Sequence, residues 1–214
     1  MKNNDSMQTS SEAQKIPVVG FGRRLAAALI DGLIILFFTF GVSLGVILLW
    51  GYLNTYARNE PAPVETVLVI CGLIVSFVYY VGFWSKSGQT FAKTVLGITV
   101  VGSDGKPLSV GKAILRYIGY MISAIPLSLG FLWIAFDKKR QGWHDKVASS
   151  YAIDGDADIY YDESIEFVPV DSKPGWIWLA IWFILVMVAP TALLSSLFIL
   201  GPTLARMITD FFGN

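Results

Sequence analysis

The sequence is poor in the residues that form disulfides and metal sites, since its 214 residues include one cysteine and one histidine. Cys71 has no partner for an intramolecular disulfide, and one histidine with one cysteine is too few for a zinc site. Neither sign of charge is in excess, because 16 Lys and Arg residues balance 16 Asp and Glu residues. Net charge therefore predicts no nucleic-acid partner. No serine or cysteine has a plausible base beside it, so we expect neither an enzyme nor a cofactor.

Charge is also absent from long stretches of the chain, and this absence indicates the class of protein. Apolar residues make up 54% of the sequence and the mean hydropathy is +0.59, more than one soluble core requires. A helix that spans a bilayer needs about 20 apolar residues. Four segments have this character: residues 25–53, 67–84, 117–136 and 176–204. The sequence predicts an all-α membrane protein with three or four transmembrane segments.

Basic residues indicate the orientation of these segments. Arg23 and Arg24 precede the first segment, Arg58 stands alone after it, and four lysines follow the second. Because basic residues concentrate on the cytoplasmic side, we expect a multi-pass protein of the cell (inner) membrane with a cytoplasmic N-terminus. If the third segment crossed the membrane once, four more basic residues would lie outside, against this rule. They are Lys138, Lys139, Arg140 and Lys146.

The third segment contains residues that interrupt a helix, Pro126 and Gly130. Two half-length helices that meet at Pro126 would form a re-entrant hairpin and return the chain to the cytoplasm. A straight third span that tolerates its proline is the alternative. Before this segment, the turn signal Asp104-Gly105 predicts a hairpin of short strands. After it, the sequence VASSYAI at residues 147–153 predicts another short strand. These strands would form a small cytoplasmic hairpin or sheet.

Several motifs in fixed order resemble the RDD family, bacterial membrane proteins named for one arginine and two aspartates. They are an arginine seven residues before an aspartate, then GQTFAKTVLGITVV, DGKPLSVGKAILR and FDKKRQGWHDKVASS. Arg24 and Asp31 match the first two named residues, and Asp145 is favoured over Asp137 as the third. The resemblance implies a membrane domain, and it implies the sodium/proton exchange suggested for some members.

The resemblance also divides the chain. We expect a disordered N-terminal tail at residues 1–16 and the RDD membrane domain at residues 17–153. An acidic cytoplasmic linker at residues 154–173 then leads to an additional transmembrane helix and tail at residues 174–214.

Asp31 stands out because it lies inside an apolar segment, where an ionised carboxylate without a partner costs about 2.5 kcal/mol or more. Residues seven apart on a helix share one face to within about 20°, so Arg24 and Asp31 point the same way. We predict an ion or proton site formed by Asp31 with Arg24, Arg116 and either Asp137 or Asp145. The alternative is a structural carboxylate that neutralises Arg24 or Arg116 and joins two helices.

Gly41 and Gly45 form a small-xxx-small motif on the same helix, typical of close helix packing. Three or four spans make a thin wall around a pathway, so we expect a homo-oligomer or a membrane protein partner within the lipid bilayer. Two functions fit the sequence: a small cation or proton-coupled transporter, or a non-catalytic accessory or assembly subunit whose charged residues are structural.

Overall fold

A computed structural model describes residues 13–57, 64–160, 164–169 and 176–188. Two long helices dominate it, α1 at Phe21–Ala57 and α2 at Val64–Lys86. The parts Phe21–Leu53 and Thr66–Lys86 are long and apolar enough to cross a membrane. The two helices pack against each other, and α1 leaves many large apolar side chains on its outer surface. The first two predicted segments are confirmed as candidate spans.

The remaining helices are shorter. They are α3 at Phe91–Val95, α4 at Val110–Ala124, α5 at Leu129–Leu132, α6 at Trp143–Val147 and α7 at Trp176–Phe183. A 3-10 turn at Trp133–Ala135 extends α5, and a π-helical turn at Ile184–Val188 extends α7. The described part of the fourth predicted segment is shorter than a span, and residues 189–204 of that segment lie outside the described residues.

The third predicted segment is broken, because α4 and α5 with its 3-10 turn meet at an angle of 109°. Leu127 and Ser128 both have a positive φ, of 50° and 59°, which turns the chain back. Gly130 lets the two arms touch, since a Cβ at this position would lie 2.5 Å from the Cα of Ser123. The predicted interruption beside Pro126 is therefore present. Such a bent pair is either a broken span or a re-entrant loop.

Four short strands form one sheet in the order β2-β3-β1-β4. They are β1 at Gln14–Val18, β2 at Ile98–Gly102, β3 at Ser150–Asp154 and β4 at Ile165–Pro169. β3 pairs antiparallel with both β1 and β2, whereas β4 pairs parallel with β1. The sheet therefore joins chain that precedes α1, chain that follows α2 and chain that follows the bent pair.

The predicted turn follows β2. Gly105 has a φ of +73°, and a single bridge joins Val101 to Pro107. The small predicted sheet is confirmed, although β2 takes its neighbouring strand from residues 150–154. Two strands extend beyond the expected boundaries: β1 begins inside the segment expected to be a tail, and β4 lies inside the segment expected to be a linker.

The sheet packs on both faces, as its alternating side chains require. Val100 and Ala152 face the helices, in a core that includes Trp84 of α2. Val101 and Tyr151 face the other way, where the Tyr151 ring stacks on Phe167 of β4 with a centroid separation of 3.9 Å. The sheet thus forms a buried layer against the helix ends that carry the charged residues.

Candidate functional site

Asp145 lies at the centre of a buried cluster of charged side chains. Its Oδ2 lies 2.6 Å from Nη1 of Arg24 in α1, and its Oδ1 lies 2.6 Å from Nη2 of Arg116 in α4. The exposed fractions are 7% for Arg24, 1% for Arg116 and 0% for Asp145. One carboxylate therefore joins α1, α4 and α6.

The backbone around Asp145 fixes its position. Asp145 accepts a hydrogen bond of 2.8 Å from the N–H of Gly142, where α6 begins. Gly119 of α4 lies directly against α6, because a Cβ at this position would lie 2.7 Å from the Cα of His144. This close approach lets the Arg116 side chain, less than one turn before Gly119, reach the carboxylate.

The arginines are held by further acceptors. Arg24 donates through Nε to the carbonyl oxygen of Val19 at 3.0 Å and through Nη2 to that of Ala152 at 3.3 Å. Arg116 donates through Nη1 to the hydroxyl of Ser150. Both arginines thus connect their helices to β3 of the sheet and also pair with Asp145.

The electrostatics of this cluster favour a permanently charged Asp145. Burial opposes its ionisation, but the guanidiniums of Arg116 and Arg24 hold the pKa of Asp145 well below its usual range. His144, whose Nε2 lies 3.4 Å from Oδ2 of Asp145, is instead uncharged. Burial lowers the pKa of His144 to about 3, so its ring is neutral at physiological pH.

Asp31 forms a separate site two turns further along α1. Its carboxylate accepts hydrogen bonds from the Tyr79 hydroxyl at 2.7 Å, the Thr90 hydroxyl at 2.6 Å and the Ala92 N–H at 3.2 Å. Asp31 is 1% exposed. Oδ1 therefore accepts from α2 and from the first turn of α3, and Oδ2 accepts from Thr90, the residue that caps α3.

The structural alternative for Asp31 named the wrong partners. Asp31 was expected to neutralise Arg24 or Arg116, but both arginines pair with Asp145, and the three donors of Asp31 are uncharged. The predicted shared face of Arg24 and Asp31 does exist, since both border one cavity. Asp145 and Arg116 contact each other beside Arg24, and the ion or proton role of these residues stays a prediction.

Asp137 lies apart from this cluster. Its carboxylate pairs with Lys146 and accepts the N–H groups of Lys139 and Gln141 at 3.0 Å each. Burial raises the pKa of Asp137, but these donors outweigh burial and lower it overall. Of the two aspartates that the sequence left open, Asp145 is the one that contacts Arg24.

Lys93 is a buried charged residue that was not among the residues predicted for the ion or proton site. It is 5% exposed, and its Nζ lies 5.2 Å from the ring centroid of Trp84, the ring that Arg116 Cζ also approaches at 5.1 Å. Burial, followed by repulsion from Arg116, lowers the pKa of Lys93 to about 7. The only sequence signal is its position in the GQTFAKT motif, where Thr90 caps α3 by accepting the Lys93 N–H.

These residues border a cavity of about 310 Å³. Its charged lining consists of Arg24, Asp31, Lys93 and Arg116, and most of the remaining lining is aromatic or aliphatic. Helices α1 to α7 all contribute to its walls, and Ala152 of β3 contributes as well. Among the described residues, no group of three or more His, Cys, Asp or Glu side chains could hold a metal ion.

The two glycines of the packing motif lie elsewhere. A Cβ added at Gly41 or Gly45 would have no atom within 4 Å, so this face of α1 contacts no other part of the described chain. The packing role of these glycines stays a prediction, and it would require a contact from outside the described residues.

The two apolar helices, together with a buried arginine and aspartate cluster at their ends, define a membrane protein with a charged core. This chain belongs to the RDD family, whose model matches residues 18–149. The match confirms the resemblance seen in the sequence, and its limits lie close to the expected domain at residues 17–153.

Curated relatives support the same membership. YxaI of Bacillus subtilis (strain 168), an uncharacterized protein, is 34% identical over 104 residues, which cover 48% of this chain and 65% of YxaI. The proline-rich antigen of Mycobacterium leprae is 23% identical over 105 residues, covering 47% of this chain and 42% of the antigen. The chain thus spans less than two thirds of the length of either relative. No solved structure matches the chain significantly.

Proposed function

We propose that this RDD-family protein is a proton-coupled transporter of a small ion, and that the cavity beside Asp31, Lys93 and the two arginines is its coupling site. The observation that carries the proposal is a carboxylate inside a candidate span and a buried lysine that line one cavity. Ionisable groups at membrane depth are costly and mark ion or proton pathways. Broken helices commonly line such sites in transporters, and the bent pair contributes Arg116 and Phe131 to this cavity.

Lys93 and Asp31 have different roles in this proposal. Lys93 carries the proton, since its pKa of about 7 lets it change charge near neutral pH. Asp31 stabilises the protonated lysine and holds α3 in place through Thr90 and Ala92. A metal cation would have to displace the donors that already occupy both oxygens of Asp31, so the geometry favours a proton over an alkali cation at this carboxylate.

The sheet supports the proposed topology. β1 precedes α1 and β2 follows α2, yet both pair with β3, so the chain returns to its starting side after two spans. β3 follows the bent pair and lies in the same sheet, which favours a re-entrant loop over a single crossing. Because basic residues flank these strands, we infer that the sheet and the N-terminus are cytoplasmic in the cell membrane.

A thin bundle of this kind would need a second copy to enclose a pathway. The open face of α1 at Gly41 and Gly45 is the surface we propose for a homo-oligomer, since small residues allow helices in lipid to approach closely.

A second candidate function rests on a different observation. Asp145 ties Arg24 and Arg116 together with no exposed surface of its own, and such an arrangement suits an accessory or assembly subunit whose charges fix packing. In that case the cavity would have no transport role, and the sheet would contact a partner.

Proton flux in liposomes separates the two candidates. Purified protein is reconstituted, and flux is measured with gradients of sodium, potassium, lithium and an organic sulfonate in turn. Transport predicts flux above that of empty liposomes, its loss in Asp31→Asn and Lys93→Met, and its retention in the matched control Asp156→Asn. Asp156 is exposed and lies outside the cavity.

The folded state of each variant is checked by its apparent melting temperature. If the folded wild-type protein gives no proton flux with any of the solutes, the transport proposal is overturned and the accessory subunit is favoured.

A further inference from the structure

We propose that the cavity binds an organic anion with an apolar body, its acidic group held by Arg116 and Lys93 and its hydrocarbon part by the walls from α5 and α7. This inference rests on the proposed function, because it names the substrate class of the same cavity.

The charges around the cavity do not balance when Lys93 is protonated. Three cationic side chains line it, Arg24, Lys93 and Arg116, together with the neutral His144 and the single acidic residue Asp31. Asp145 lies against both arginines and supplies the second negative charge. Three positive charges against two leave an excess of one, and a buried uncompensated charge is unfavourable. The cluster must either release the Lys93 proton or take up an anion.

Two cationic side chains, Arg116 and Lys93, have N–H donors without a hydrogen-bond acceptor among the described residues. Arg116 is 1% exposed, and its Nε has no hydrogen-bond partner among the described residues. Within the same part of the chain, the ammonium of Lys93 forms no hydrogen bond or ion pair, and its contact is the Trp84 ring. Buried donors of this kind are normally paired. Both residues border the cavity, so an acidic group there would provide an acceptor for the Lys93 ammonium and a counter-charge for the Arg116 guanidinium.

The rest of the cavity suits a hydrocarbon. Leu25 of α1, Phe131 and Ile134 of the α5 arm, and Trp182 and Leu185 of the α7 arm line it. A cavity of about 310 Å³ lies near the lower limit of the roughly 300–1,000 Å³ typical of small-molecule sites. An inorganic anion would neutralise the excess charge but would make no contact with this apolar wall. The lining therefore favours an anion with an attached apolar chain.

Anion and proton should bind together. A bound anion next to Lys93 favours the protonated amine, and by linkage the proton strengthens binding of the anion. The charged groups that face Lys93, namely Arg116, Asp31, Arg24 and Asp145, set the starting balance. The titratable side chains of Tyr80, Tyr120 and His144 line the same cavity, and His144 also interacts with Lys93. The bound pair is then an acid carried as anion plus proton.

Binding to the full-length protein in phosphatidylcholine nanodiscs tests this inference without any need for transport. The probe is octanesulfonate, whose charge does not titrate, and octylammonium is the matched cation. Calorimetry in two buffers of different ionisation heat measures proton uptake. We expect octanesulfonate to bind about tenfold or more tightly than octylammonium, with uptake of up to one proton near pH 8. Equal binding of the two probes, or no proton uptake by the wild-type protein, would overturn the inference.

Two variants locate the site. Lys93→Met should weaken octanesulfonate binding by about tenfold and abolish proton uptake. Lys138→Gln removes an exposed lysine outside the cavity and should change neither. Unchanged binding in a folded Lys93→Met would place the anion elsewhere and contradict the inference. The wild-type proton uptake remains decisive if Lys93→Met does not fold.

The same acidic chemistry is available from a free organic acid and from an anionic lipid headgroup. Adding phosphatidylglycerol to the nanodiscs distinguishes them: suppression of octanesulfonate binding identifies the lipid, and unchanged binding identifies a free anion. Octanesulfonate binding without proton flux would retain the anion site and overturn transport. Proton flux without octanesulfonate binding would retain transport and overturn the anion site.

Discussion

The Thr90 hydroxyl donates a hydrogen bond of 2.6 Å to Asp31, and the same oxygen accepts the N–H of Lys93 at the start of α3. One side chain therefore caps a short helix and attaches it to α1. This geometry links the Asp31 carboxylate, inside a candidate span, to the position of the buried lysine.

Thr90→Val removes both hydrogen bonds while it preserves the size of the side chain. We expect the free energy of unfolding to fall by about 1–3 kcal/mol, because a buried carboxylate loses a donor and α3 loses its cap. Denaturant titration in detergent measures the change. Thr90→Ser keeps the hydroxyl and is the control, and an equal loss in both variants would show that the hydroxyl is unimportant.

Asp145→Asn leaves two buried arginines without a counter-charge. The loss should be about 3–5 kcal/mol, typical of a buried ion pair that loses one partner. Asp154→Asn, which breaks the surface pair with Arg23, is the comparison and should cost about 1 kcal/mol or less. Similar losses in the two variants would contradict the central role of Asp145.

Acid provides a second check on Asp145. Because its pKa in the folded protein is below the usual range, its stabilising contribution is complete above the unfolded pKa of about 3.9 and is lost only as the pH falls further. The contribution, measured as wild type minus Asp145→Asn, should stay constant between about pH 7 and pH 5. A decline within this range would mean that the carboxylate titrates too easily.

Lys93 should also make stability rise with pH, but over a higher pH range than Asp145. Its pKa falls from 10.5 to about 7 on folding, so between these values the unfolded chain binds more protons and stability rises with pH. Lys93→Met removes this dependence and should raise the apparent melting temperature most below pH 7. The measurement is thermal unfolding of both proteins from about pH 6 to pH 10. Parallel curves would show that Lys93 keeps an ordinary pKa.

The re-entrant topology predicts which residues share a side of the membrane. In a Cys71→Ala background, Asp104→Cys and Lys138→Cys should react from the same side with an impermeant maleimide, and Asn59→Cys from the other. The reason is that β2 and β3 belong to one sheet. Reaction of Lys138→Cys together with Asn59→Cys would instead identify a straight third span.

The open glycine face of α1 predicts an oligomer. Gly41→Leu and Gly45→Leu should leave the protomer folded, because a Cβ there meets no atom of the described residues within 4 Å, and should weaken association. Cross-linking in membranes measures the oligomeric state. Gly32→Leu is the control, since Gly32 is equally open and lies on the opposite face of the helix at about 100° per residue. An unchanged oligomer in all three variants would remove this surface from consideration.

Local signals explain the parts of the fold that the sequence predicts. The two long helices follow from uninterrupted apolar runs, and the turn at Asp104-Gly105 follows from residue types that tolerate a positive φ. The break beside Pro126 has the same local origin. Each of these features depends on residues adjacent in the chain, which a sequence displays directly.

The partners of Asp31 could not be predicted in this way. Tyr79, Thr90 and Ala92 lie 48, 59 and 61 residues further along the chain, and only packing brings them to the carboxylate. Lys93 was missed for a related reason, because its burial depends on Trp84 and the surrounding helices. The pairing of β4 with β1 also joins distant segments, and residues 154–173 are acidic enough to resemble a solvated linker.

The α7 arm lies outside the part of the chain that matches the RDD family, yet it supplies Trp182, Leu185 and Val186 to the cavity. The charged residues of the cavity all lie within residues 18–149. A graft of another C-terminal segment would therefore exchange the α7 part of the apolar wall and leave the charged residues of the cavity in place. If the protein is the transporter proposed above, selectivity and coupling reside in separable modules, and one can change over evolution or by engineering while the other is kept.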